Sequence, residues 1–334
     1  MGHSSLMPWT WQAVFSSGVL RPAWIVVTVV LAIGYAAALH RGRHRGELPV
    51  RTARIISFYS GLALLIFTVS SAFDVYSMAV FWVHMIEHLL LIMAVPALLV
   101  LGHPLTVIRA AVGPERADPV LLSWPVSIIL HPLVGLAIYT AVLFGTHLTH
   151  FMDQMSMHPM LMGVERVLYV VSGYLLFITL IGKEPIRWNL PQLARFLLIL
   201  IAMSPDTIVG IVLMQSNDPF PMYLSMRPSW APPAGQDVLT AGGIMWAGGD
   251  GLMMVIGLFT IADILISRER GTLLGSWLEG TRHAVIAEQL RAAGEDYDAD
   301  ADIDDDDAAL AAYNQMLARL NGHPPAAPGD QPHT

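Results

Sequence analysis

Seven apolar runs dominate this chain, at approximately Ala23–Leu39, Ile55–Ala72, Ala79–Leu101, Pro132–His147, Leu161–Ile181, Arg195–Met214 and Leu239–Ile266. A hydrocarbon core about 30 Å thick takes roughly 20 helical residues to cross. In lipid, backbone N–H and C=O groups must be satisfied within the segment, so runs of this kind fold as helices. The sequence therefore predicts an all-α polytopic membrane protein of about seven transmembrane helices. Composition agrees: 54% of residues are hydrophobic and 13% charged, against about 25% charged in soluble domains. Pro125 and Pro132 interrupt the segment before the fourth run, so VLLSWPVSIIL is expected to lie at the interface or re-enter.

Basic residues fix the expected orientation. Arg41, Arg43, Arg45 and Arg51 follow the first run, Arg109 and Arg116 the third, Lys183 and Arg187 the fifth, and Arg268 and Arg270 the seventh. The alternate loops hold almost none, Arg227 excepted. The positive-inside rule then puts the N-terminus outside and the C-terminus in the cytoplasm; the expected location is a prokaryotic plasma membrane. Residues 1–22 read as an outer interfacial segment, where Trp9 and Trp11 join Trp230 in an aromatic belt, and 23–266 as the membrane domain. Residues 267–294 read as a cytoplasmic amphipathic helix. Residues 295–334 form an acidic, largely disordered tail. The formal net charge of −8 is a property of that tail, because nine acids lie between Glu295 and Asp307. The rest is close to neutral, and no basic surface marks a nucleic-acid partner; the lipid bilayer is the expected surrounding.

The chain has no cysteine, which excludes disulfides and thiolate metal sites. Any metal must be held by His, Met, Asp or Glu. The third run opens with His84-Met-Ile-Glu87-His88. On a helix those two histidines lie about 40° apart in angle and ~6 Å apart in height. The fourth run ends in His147 and His150, also one turn apart. HFMDQMSMHPMLM then packs His150, Met152, Met155, Met157 and His158 into what reads as a loop. Both pairs and the loop belong to the outer face. Imidazole suits copper, zinc and iron, whereas thioether favours Cu(I). A His/Met cluster without Cys thus points to copper, as Cu(I), held by His84, His88, His147, His150, Met152, Met155, Met157 and His158. Glu87, Asp206 and Asp250, polar groups within spans, are expected to support the site or to lock helices together. Methionine also fills gaps in apolar packing, and a membrane histidine can serve only as a hydrogen-bond donor between helices.

Other chemistries fit parts of the pattern. HxxEH is the inverted zinc-protease signature, with Glu87 as general base and Glu165 as the further ligand such a site needs. His88 with His147 could clasp a haem between facing helices. A copper permease would use the same ligands. His103-Pro104 and His131-Pro132 read as helix boundaries.

The order of elements resembles the cytochrome c oxidase assembly factor family of the CtaG type, in its multi-span form associated with caa3-type oxidases. The resemblance rests on HMIEHLLLIMAVPALLVLGHPL, on HPLVGLAIY opening span four, on His147 near that span's end, and on GGIMW at Gly242–Trp246. YVVSGYLLF is looser support. The likeness covers roughly Trp9 to Ile266. It departs from the family pattern at GVERV, where Arg166 replaces a histidine, and after Asp237, where Val238 stands for glutamine. The resemblance implies an assembly factor and metallochaperone, not an enzyme, that handles copper for a haem–copper oxidase of the respiratory chain. Its partner would be an oxidase subunit in the same membrane.

Overall fold

The computed structural model describes residues 6–10, 12, 18–46, 50–77, 79–181, 184–216 and 227–266. The expected cytoplasmic helix and acidic tail, with Arg268, Arg270 and Lys183, lie outside these residues. The chain divides into two units, 1–261 and 262–334; the first is the helical bundle. Of the second, only the end of the last helix, to Ile266, is described.

Six helices among the described residues are long and apolar enough to cross a membrane, and Pro132–His147 is a seventh, shorter apolar helix. No strand occurs among the described residues. The helices are α1 (Pro22–His44), α2 (Thr52–Ser70), α3 (Ala72–Tyr76) and α4 (Phe81–Leu89). A π-helical turn (Leu90–Ala94) joins α4 to α5 (Val95–Leu101). Next come α6 (Pro104–Val112), α7 (Pro114–Leu121), α8 (Trp124–Ile129), α9 (Pro132–His147) and α10 (Phe151–Met157). The last three are α11 (Pro159–Ile181), α12 (Gln192–Gln215) and α13 (Ala234–Ile266). VLLSWPVSIIL is split between α7 and α8, two short helices.

At the centre of the bundle, α5 and the π turn pack against α2 and α11, and α11 packs against α9. The wide turn has a local cause. Proline lacks an N–H and its ring crowds the carbonyl four residues back. For Pro96 that carbonyl belongs to Ile92, inside the π turn. Gly173 of α11 lies directly against the Ile92 carbonyl, where a Cβ would collide with it. One proline and one glycine thus let α11 close on the distorted part of the third span.

The expected helix boundaries appear at both His-Pro pairs. His103 takes a left-handed conformation (φ 51°) and turns the chain into α6, with Pro104 in its first turn. His131 caps α9, its Nδ1 accepting from the Leu133 N–H at 3.2 Å. At the opposite end of the bundle, Trp9 packs against Phe73, Tyr76 and Trp82. The Trp230 indole donates to the Leu6 carbonyl at 2.7 Å.

Candidate metal centre

The start of α4 is set from far away in sequence. Val80, its N-cap residue, offers no side-chain acceptor. Asp237 at the start of α13 supplies both oxygens instead, accepting from the Phe81 and Trp82 N–H groups at 3.0 Å each. A carboxylate at a helix N-terminus satisfies orphan donors and complements the helix dipole. Arg227 pairs with the same carboxylate at 3.3 Å. This cap anchors the helix that carries His84 and His88.

One turn apart on α4, the His84 and His88 rings lie with centroids 3.9 Å apart and planes tilted by 58°. Glu165 of α11 faces them. One potential ligand atom from each of His84, His88 and Glu165 lies within 4.8 Å of the other two. His88 Nε2 stands 3.5 Å from Glu165 Oε1. All three residues are buried. His84 Nδ1 and His88 Nε2 have no hydrogen-bond partner. Buried polar atoms are nearly always bonded, so two orphaned imidazole nitrogens beside a carboxylate make a donor set that could hold a metal ion.

His147 of α9 joins this group through a proton position. Its Nδ1 lies 3.0 Å from the Leu143 carbonyl, which can only accept, so Nδ1 carries the hydrogen. Its Nε2 then presents a lone pair, 3.1 Å from His88 Nδ1. His88 must donate from Nδ1, which leaves the His88 Nε2 lone pair aimed toward Glu165. A hydrogen bond at one ring nitrogen thus fixes the tautomer and orients the other. Thr146 and Tyr169 buttress the arrangement with a 2.7 Å hydroxyl contact.

The next residue in α11, Arg166, neutralises the acids that surround this group. Its Nε donates to Glu87 Oε1 at 2.8 Å, and it also pairs with Asp74. Asp74 in addition accepts from Arg21 at 2.7 to 3.0 Å. Glu87 is therefore an ion-pair partner and stands outside the close ligand group, while Glu165 stands where the zinc-protease reading expected its further ligand. The close donors are two nitrogens and one carboxylate oxygen, a set that suits zinc as well as copper.

The remaining expected ligands are scattered. His150 and His158 are exposed and are not members of the close group. The Met-rich stretch, expected as a loop, is largely helical, as α10. Met152 and Met155, three residues apart and so on one helical face, are buried in the hydrophobic core. The Met157 side chain lies outside the described residues. Asp206 and Asp250 form a separate pair of contacts, with Tyr139 and Thr207. Asp74, Tyr169 and Asp237 serve the centre in ways their sequence surroundings do not announce. The acid–base pair Glu165-Arg166 inside an apolar run was the available signal for α11, because charges at that depth must be partnered.

A model of the cytochrome c oxidase caa3 assembly factor family (Caa3_CtaG) matches residues 33–265. The chain is 30% identical over 307 residues to uncharacterized proteins of Mycobacterium bovis and Mycobacterium tuberculosis, and 28% identical over 306 residues to one of Mycobacterium leprae. Each alignment covers 88% of this chain and 43% of the relative, so the chain spans less than half the length of these curated relatives. No solved structure matches.

Proposed function

We propose a role that begins from membership: this chain belongs to the cytochrome c oxidase caa3 assembly factor family. It is a multi-pass membrane protein, and its family is one of assembly factors, not of catalysts. On that footing, the chain captures copper at the outer face of the prokaryotic plasma membrane and passes it to a haem–copper oxidase subunit alongside it in the bilayer. His84, His88 and Glu165 hold the ion, and His147 positions His88. The observation that carries the reading is the pair of partnerless imidazole nitrogens facing a buried carboxylate.

Charge supports it as well. Arg166 already serves Glu87 and Asp74, and a bound cation would give Glu165 the positive partner that a buried carboxylate requires. His150 and His158, exposed on the segment between the fourth and fifth spans, suit a first encounter with metal rather than a holding site. The basic residues in the loops after the first, third and fifth spans support a cytoplasmic position for the other end of the bundle.

The test is made in cells that depend on the oxidase. His88→Ala should leave the chain at normal abundance in the membrane while the oxidase loses copper and activity, with cellular copper unchanged. Full oxidase copper in that variant would refute the delivery role. Lowered cellular copper would instead mark a permease.

A further inference from the structure

Away from the histidine centre, a second set of polar side chains lies within the spans, Tyr139 and Asp206 buried and Thr207 and Asp250 partly so. Tyr139 of α9 donates its hydroxyl hydrogen to Asp206 Oδ2 of α12 at 2.8 Å. The adjacent Thr207 donates to Asp250 Oδ2 of α13 at 2.7 Å. Asp206 is 0% exposed. The other carboxyl oxygen of each aspartate, Oδ1, is buried with no hydrogen-bond partner.

Glycines bring these groups together. A Cβ built on Gly249 would lie 3.1 Å from the Asp206 Cγ and 3.4 Å from its Oδ1. Gly210 of α12 and Gly242 of α13 meet in the same close fashion. The free oxygen of Asp206 therefore faces glycine backbone, not a counter-charge. From α9 the group facing Asp206 is Tyr139; from α13 it is Asp250, a like charge when ionised. No Lys, Arg or His contact with Asp206 is found among the described residues.

An ionised carboxylate in an apolar interior needs a cation or several donors. Asp206 has one hydroxyl. A proton on Oδ1 removes the charge and turns an orphan acceptor into a neutral O–H group. We propose that Asp206, fixed by Tyr139 and flanked by Asp250, is a proton-binding site within the membrane. Tyr139 holds Oδ2, so Oδ1 is the atom that takes the proton. The site is distinct from the metal centre: Tyr139 stands eight residues before His147 on α9, about 12 Å along the helix axis. Nothing in the copper reading depends on it.

Infrared spectroscopy of the purified full chain at neutral pH, compared with Asp206→Asn, tests the assignment. The expected result is loss of one carboxylic-acid C=O band, which in the unaltered protein shifts on transfer to D2O. Loss of carboxylate bands alone would overturn the proposal. So would disappearance of the acid band on adding sodium, which would identify a cation site instead. Should Asp206→Asn fail to fold, the unaltered protein is treated with dicyclohexylcarbodiimide, which adds to protonated carboxyls. An adduct mapped to Asp206 is then expected, and an Asp206 left unmodified would count as refutation.

Discussion

Arg166 is the residue on which the electrostatics of the outer half of the bundle turns. It lies between Glu87 and Asp74, buried with both. Removing one member of a buried ion pair strands the others, at a cost of about 3–5 kcal/mol. Arg166→Met should therefore lower stability in detergent by that order, and Glu87→Gln added to it should recover part of the loss; thermal unfolding of the purified variants measures both. Outside the spans, Glu184 holds the start of α6 by accepting from the Thr106 N–H and hydroxyl at 2.8 and 2.7 Å. Burial raises its carboxyl above the ordinary value of 4.5, and the hydrogen bonds from Thr106 and Leu105 oppose that only in part. Its contribution to stability is thus complete below 4.5 and declines as pH rises through the raised value. Glu184→Gln should flatten that part of the stability–pH curve. An unchanged slope would show that the carboxyl does not titrate there.

Among the elements, the third span is the least regular and the most consequential. Its π turn begins two residues after His88 and sits against Gly173. Gly173→Ala should cost about 1–3 kcal/mol through overpacking and should disturb the adjacent centre; unfolding midpoints and copper affinity would fall together. The apolar runs made the spans legible in sequence, because bilayer thickness sets a length that few other folds demand. The fourth run ends at Pro132 and His147 as read, both being boundary residues. The π turn was not legible, since a proline in an apolar run does not by itself announce one, and the glycine that packs against it lies 77 positions later. The helix α10 escaped because seven residues are too few for a periodic signal. The pairing of His84 with His88 followed from helical spacing alone. Glu165 as their third partner entered the sequence reading only through the zinc-protease alternative, and Asp237 as the cap on their helix not at all, because both depend on which spans are neighbours and local pattern does not encode that.

At the scale of the molecule, the bundle separates two groups of features. Short helices, basic residues and the Glu184 contact lie on the side assigned to the cytoplasm. The aromatic group around Trp9 and Tyr76, the Asp74–Arg166–Glu87 ion pairs and the histidine centre lie toward the other. Such a layout suits a protein that receives an ion at one surface and hands it sideways to a membrane partner. Copper content of the purified full chain, compared with the His84→Ala/His88→Ala double variant after equal loading, tests this most directly. The account predicts close to one copper per chain in the unaltered protein and nearly none in the double variant, with both equally folded. Equal copper in the two, or none in either, would contradict it.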